Sequence, residues 1–210
     1  MNLKEPPVPR KYSMDARSAA VEETRRRIID ATVQLHNQQG IKGTSMQDIA
    51  DRAEVALATV YRHFPSLDEL VPACGGRILE LNPPPTADVF DGLDSGEARI
   101  AGLVQALHDN YARGSRVYEV GFAEAATIPA LARFMDEVAS NIAGLVATAA
   151  APFKVDGQSL DLARGLCDFR VWLALTEAGL NQEDATKAIA RIICTFLSGE
   201  EGSNEERGKA

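Results

Sequence analysis

The sequence predicts an all-α protein of about nine helices, a three-helix N-terminal unit followed by a larger helical part. Three observations carry this. Apolar residues recur at spacings of three and four along most of the 210 residues, and no stretch alternates as a half-buried strand does. Between Thr44 and Pro65 two short helical patterns lie a few residues apart. The 45% hydrophobic content supplies enough apolar material for a real core.

The first helix ends at Gly40. In the next, Thr44-Ser45-Met46-Gln47-Asp48-Ile49-Ala50-Asp51-Arg52-Ala53, a hydroxyl residue precedes a Gln by three positions, so Thr44 and Gln47 are expected to form a capping box. Met46, Ile49, Ala50 and Ala53 make its apolar face. After Glu54-Val55-Ala56 a second turn buries Val60 and Phe64 and leaves Thr59, Tyr61, Arg62 and His63 outward until Pro65 stops it. Short hydroxyls, a phenol and positive charge are the groups that meet phosphate oxygens and base edges. A solvated polar face on an ordinary helical hairpin is the bland alternative.

From residue 24 to 81 the chain resembles the N-terminal domain of the tetracycline-repressor (TetR) family. The carriers are Thr-Ser-Met-Gln-Asp-Ile-Ala from Thr44 and Thr-Val-Tyr-Arg-His-Phe-Pro-Ser-Leu-Asp-Glu-Leu from Thr59. The resemblance implies an all-α homodimeric regulator of transcription, with a helix-turn-helix DNA-binding domain followed by a larger domain for ligand binding and dimerisation. It departs from the family where the turn usually reads Gly-Val-Ser-Lys-Gly; here Glu54-Val55-Ala56-Leu57-Ala58 stands. Glu54 must then take a backbone conformation that glycine adopts freely, and Ala56 cannot cap the helix as serine would. Leu67 also replaces a frequent lysine. With fewer cations on phosphate, DNA binding is expected to be weaker or less salt-dependent. The expected DNA contacts are Thr44, Ser45, Gln47, Ala56, Leu57, Ala58, Thr59, Tyr61, Arg62 and His63, with Tyr61 and His63 on phosphate and Gln47, Leu57, Ala58 and Thr59 near base edges.

The formal charge of −8 is unevenly placed. Residues 1–66 hold ten Lys/Arg against eight Asp/Glu, and the rest twelve against twenty-two. Only the first part need approach DNA. Residues 1–20 read as a disordered basic arm, with Lys4, Arg10, Lys11 and Arg17 ahead of Arg25-Arg26-Arg27; Pro6, Pro7 and Pro9 favour disorder, and such an arm can also lie in a minor groove. The helix-turn-helix domain occupies 21–66, a connecting helix 67–82, the effector and dimerisation domain 83–197, and a disordered tail 198–210.

In the connecting helix, Leu67, Leu70, Val71, Cys74, Ile78 and Leu81 share a face, ending at Asn82-Pro83-Pro84-Pro85. Further helices cover 100–111 and 116–126. The next starts with proline in its first turn at Pro129 and runs to Pro152. One broad apolar helix is expected over 159–178, and a last one over 181–197. This final pair, through Leu166, Leu173, Ile189, Ile193 and Phe196, is expected to make a four-helix dimer interface; completing a monomer core is the other reading.

Polar or aromatic residues within apolar stretches, His108, Tyr111, Tyr118, Phe122, Phe134, Asn141, Arg170 and Trp172, are candidates to line a pocket for an unknown small-molecule effector. Arg170 would pair either with an anionic ligand or with an internal partner such as Glu177 or Asp168. No catalytic residue, metal site or cofactor is expected. His36, His63 and His108 fall in separate helices, and no nucleophile-elbow, Walker or dinucleotide pattern occurs. Cys74, Cys167 and Cys194 read as buried reduced thiols. Neither a leader nor a membrane span is evident, so the cytoplasm is the expected location. The expected partners are double-stranded operator DNA, a second copy of the chain and the effector, and no membrane. A protein-interaction adaptor with weakened DNA binding is the second reading, and an enzyme the third.

Overall fold

The computed structural model describes residues 10–199, which are helical with turns and contain no strand. They form two compact units divided between Ile78 and Leu79.

The first unit contains α1 (Arg10–Gln39), α2 (Met46–Arg52), α3 (Leu57–His63) and the start of α4 (Leu67–Leu81). Its core joins Ile28, Val33, Leu35, Ile49, Val60, Phe64, Leu70 and Cys74, the periodic apolar residues of the four helices. Helix α1 begins at Arg10, so residues 10–20, expected in a disordered arm, are its first turns; residues 1–9 lie outside the described residues. It stops at Gly40, which takes a φ of 79° and donates its N–H to the His36 carbonyl at 2.9 Å.

A capping box does start α2, one residue later than expected. Ser45 Oγ accepts from the Asp48 N–H at 3.1 Å, and Asp48 Oδ2 accepts from the Ser45 N–H at 2.8 Å. Thr44 is unavailable because its hydroxyl donates to the Gly40 carbonyl at 2.7 Å, and the Gln47 amide donates to Asp51 Oδ1 at 2.7 Å. A carboxylate at the third helical position also meets the positive end of the helix dipole better than an amide does. Hydrogen bonds donated to Asp48 Oδ2 by the Ser45 N–H and by the Ser45 hydroxyl, the latter at 2.7 Å, hold the Asp48 carboxyl below its ordinary range.

Between α2 and α3, Glu54 takes the left-handed conformation, φ 54°, that the missing glycine implied. The Val55 N–H donates to the Ala50 carbonyl at 3.0 Å. Arg27 Nη2 donates to the carbonyls of Ala53 and Glu54, so a guanidinium from α1 satisfies the chain end of α2. Ala56 precedes α3 with no side-chain cap.

In the second unit α5 (Gly96–Glu124) packs against α6 (Pro129–Ala150) and α9 (Gln182–Leu197), with α7 (Gly157–Leu166) and α8 (Phe169–Glu177) completing it. The two helices expected at 100–111 and 116–126 are one helix, kinked at Gly114 (φ −118°, ψ 19°). Asn82 Nδ2 would lie 2.6 Å from a Cβ there, so only glycine admits that approach. Asn82 and Pro83 are tied to α5 by a reciprocal pair: Asn82 Nδ2 donates to the Asn110 carbonyl at 3.1 Å, and Asn110 Nδ2 to the Pro83 carbonyl at 3.0 Å.

The single helix expected over 159–178 is instead two. The chain turns at Cys167, and Asp168 caps α8 by accepting the Arg170 N–H at 2.8 Å. Tyr111, fully buried in α5, donates its hydroxyl to the Cys167 carbonyl at 2.7 Å and so satisfies a carbonyl that the break exposes. Among the cysteines Cys74 and Cys167 are buried free thiols pushed up to about 12 by desolvation, whereas Cys194 is only half-buried. No described helix is long and apolar enough to cross a membrane.

A left-handed non-glycine residue costs about 1–2 kcal/mol, against about 0.5–1 kcal/mol of extra chain entropy lost by a glycine. The Arg27–Glu54 pair, at 3.8 Å with the Glu54 side chain 87% exposed, offsets little of that difference. Glu54→Gly is therefore expected to stabilise the first unit by about 0.5–1 kcal/mol. Urea denaturation read on the N-terminal helices checks this, and a destabilised variant would contradict it.

Candidate DNA interface and ligand cleft

On α3 two of the four residues expected outward are exposed and two are half-buried. Tyr61 (48% exposed), Arg62, Ala56 and Ala58 face solvent, while Thr59 and His63 are half-buried. Leu57 is half-buried against the N-terminal core, so it serves packing as well as any base contact. The hydroxyl and amide donors of Thr44, Ser45 and Gln47 are spent on Gly40, Asp48 and Asp51. Arg62 Nη2 reaches Thr59 Oγ1 at 3.4 Å. Tyr61 and His63 make no hydrogen bond or ion pair among the described residues, which leaves both rings available to an outside partner.

Sequence reasoning missed how the Arg25-Arg26-Arg27 run is used. Arg25 lies over the Phe64 ring at 4.9 Å, Arg26 pairs with Glu23 at 2.7 Å, and Arg27 holds the turn between α2 and α3. Arg52 reaches Gln34 and Gln38 on α1. These cations secure the helix-turn-helix geometry from outside its core. Only long-range contacts reveal this, since the run reads locally as a solvated basic face.

The second unit holds a cleft of about 430 Å³ between α5, α6, α7 and α8. Tyr111, Tyr118 and Phe122 line it from α5, Met135, Val138 and Ile142 from α6, and Phe169 and Arg170 from α8. Four of the eight expected residues are thus brought together: Tyr111, Tyr118, Phe122 and Arg170. The other four are elsewhere. His108 is buried with Nδ1 2.8 Å from Thr186 Oγ1, and burial pushes its imidazole down to about 4, so it is neutral near pH 7. Trp172 is in the core, and Phe134 and Asn141 do not border the cleft. Each was read from its local apolar neighbours, whereas cleft membership depends on which helices meet.

Phe169 is the main residue missed. On one continuous helix it reads as core, but the break at Cys167 aims it into an aromatic group. Its ring is parallel to Phe122 (6°, centroids 5.9 Å) and near-parallel to Tyr118 (19°, 5.0 Å), while Tyr111 meets it edge-on at 5.5 Å. Of the two partners considered for Arg170, Asp168 is the one found, at 2.9 Å from Nε and 3.0 Å from Nη2. Burial alone would raise the Asp168 carboxyl, but hydrogen bonds and charge from Arg170 outweigh it and hold the carboxyl low. No group able to hold a metal ion occurs among the described residues.

The expected dimer residues separate likewise. Ile189 and Ile193 belong to the core of the single chain, with Ile193 only 1% exposed. Leu166 and Leu173 are half-buried, and Phe196 is 45% exposed. The broad apolar stripe of α9 is shared between two surfaces: Ala185, Ile189 and Ile193 face inward, while Ile192 and Phe196, like Leu162 on α7, remain outward.

Comparison with known proteins agrees with this architecture. Residues 28–74 match the family model of bacterial regulatory proteins, tetR family. The HTH-type transcriptional repressor KstR of Mycobacterium tuberculosis is 43% identical over 60 residues, which are 29% of this chain and 27% of that protein. The chain thus spans about a quarter of the length of that relative. KstR of Rhodococcus jostii is 28% identical over 186 residues, covering 85% of this chain and 83% of its own. Among solved structures, the multidrug binding protein EbrR complexed with ethidium is 27% identical, with a TM-score of 0.59 over 81% of this chain and 98% of that one. A transcriptional regulator from Rhodococcus, 22% identical, shares the fold at a TM-score of 0.66, over 83% of this chain and 96% of that one. The helix-turn-helix segment thus resembles that of bacterial regulatory proteins of the tetR family, and the all-helical architecture is shared with these solved structures.

Proposed function

We propose that the chain is a sequence-specific DNA-binding regulator of transcription, acting as a repressor that leaves its operator when a small molecule binds. The observation that carries the first half is α3: an exposed, seven-residue helix with Tyr61 and His63 unpartnered, set behind a capped α2 and a clamped turn. The repressor sense rests on the likeness to KstR, named a transcriptional repressor. Because the family and these relatives are regulators, the enzyme reading is set aside.

The adaptor reading has one physical feature in its favour, the absence of lysine at positions 57 and 67. Tyr61→Phe distinguishes the two. Loss of one phosphate hydrogen bond costs about 1 kcal/mol, roughly a fivefold weakening. The variant is expected to bind operator and random DNA alike more weakly by that factor, in fluorescence anisotropy titrations with fragments the wild-type protein retains from genomic DNA. Unchanged binding of both would remove Tyr61 from the interface, and failure of the wild type to retain any DNA would favour the adaptor.

The proposed dimer uses the outward apolar set of Leu162, Ile192 and Phe196 on α7 and α9, with Leu166 and Leu173 beside it. An unpaired carboxylate buried there costs several kcal/mol. Ile192→Glu is expected to give folded monomers by analytical ultracentrifugation. Ile193→Glu is expected to unfold the chain instead, since that side chain is in the core. A dimeric Ile192→Glu would exclude this surface.

The aromatic cleft of the second unit supports the effector half, as does the ethidium complex of EbrR. An effector can lower operator affinity only by preferring the state that does not bind DNA, and a tenfold effect needs about 1.4 kcal/mol of preference. A cleft ligand found by thermal-shift screening is therefore expected to raise the melting temperature and weaken operator binding together. A ligand that does the first without the second would refute release by that compound.

A further inference from the structure

Across the kink at Gly114, α5 joins the wall of the cleft to the chain that leaves α4. Tyr118, beyond the kink, lines the cleft with its ring stacked on Phe169. Its hydroxyl is bonded to the other side of the kink, donating to Asn110 Oδ1 at 2.7 Å. Asn110 is 1% exposed, and its remaining bonds go to one short segment: Nδ2 donates to the Pro83 carbonyl at 3.0 Å, and its own carbonyl accepts from Asn82 Nδ2 at 3.1 Å. Arg113 Nε donates to Asn82 Oδ1 at 3.1 Å. Asn82 and Pro83 directly follow Leu81, the last residue of α4, and Leu70 and Cys74 of that same helix lie in the N-terminal core.

These bonds depend on one another. Tyr118 and Asn110 stand eight residues apart, about 12 Å of rise on a straight helix, so the bond between them varies with the angle at Gly114. Gly114 is crowded by both partners: a Cβ there would lie 2.6 Å from Asn82 Nδ2 and 3.7 Å from Tyr118 Cε2. One buried amide thus has its oxygen bonded to the cleft wall and its nitrogen to the segment after α4. A buried amide that loses one partner is left with an unsatisfied group and must reorient or open to water, which weakens its other bond.

We infer that Tyr118 couples the cleft to the end of α4: an occupant that displaces its ring withdraws the phenol from Asn110, and Asn110 then loosens its hold on Asn82 and Pro83. This rests on the cleft being the effector site and names the route by which occupancy is felt outside it. The bonded arrangement and the loosened one are the two states that an effector must distinguish.

Two substitutions in the full-length protein test it. Tyr118→Phe keeps the ring and deletes only the hydroxyl, and Val138→Trp, on the α6 wall, fills the cleft as a built-in occupant. Hydrogen exchange of the amides from Leu79 to Asn82, read by mass spectrometry, is expected to quicken about fivefold in each, the equivalent of one hydrogen bond of about 1 kcal/mol. The double variant is expected to exchange no faster than either single one, because the phenol has already left Asn110; two independent defects would multiply to roughly twenty-five-fold. Operator binding is expected to weaken by up to about fivefold in each, again without multiplying. Circular dichroism melting verifies folding, and Ala139→Trp, at an exposed position of the same wall, replaces Val138→Trp if that variant does not fold. Unchanged exchange in Tyr118→Phe, multiplied effects in the double variant, or quickened exchange with unaltered operator affinity would overturn the coupling. A wild type that binds no DNA would refute the regulator reading instead, and the exchange results would still decide whether Tyr118 holds the end of α4.

Discussion

The second unit is organised by one hydrogen bond, from the buried Tyr111 hydroxyl to the Cys167 carbonyl. A helix that breaks inside a domain exposes carbonyls that would otherwise accept within the helix, and those groups need partners. Tyr111 supplies one from α5, and Asp168 starts the next helix at once by accepting the Arg170 N–H. Two consequences follow. Phe169 turns toward Tyr118 and Phe122 to build the aromatic wall, and the Asp168–Arg170 pair lies at the cleft with its guanidinium over Phe122.

The first unit solves a similar problem with charge. The turn between α2 and α3 has a left-handed glutamate where a glycine would be unstrained, and no side-chain cap on α3. Arg27 compensates by donating to the two carbonyls of that turn, while Arg25 covers Phe64 at the far end of α3. The arginines nearest the expected DNA face thus secure its geometry. Tyr61 and His63, one turn away, are left without internal partners.

Much of the fold was legible because it rests on local rules. The apolar period located the helices, Gly40 and Pro65 marked helix ends, and the missing glycine at position 54 announced the positive φ that the turn contains. The outward direction of Tyr61 and Arg62 followed from the inward direction of Val60 and Phe64, because four residues nearly complete a helical turn. The capping box was misplaced by one residue because Thr44 and Ser45 are equally suited locally. A contact from Thr44 back to Gly40 decided between them.

By itself, then, the sequence determined the helical class, the helix-turn-helix and its exposed face, and which apolar stripes had to be buried. Tertiary structure decided what no local pattern encodes. It chose whether 159–178 is one helix or two, since the break is stable only where Tyr111 can reach the freed carbonyl. It divided the α9 stripe between Ile189 and Ile193 inside and Ile192 and Phe196 outside, because the position of α5 sets which arc is covered. It also sorted the aromatic and polar candidates, placing Tyr118 and Phe122 in the cleft and His108 and Trp172 in the core. Periodicity fixes the direction of a side chain around its own helix axis; only the packing of other helices fixes what that side chain meets.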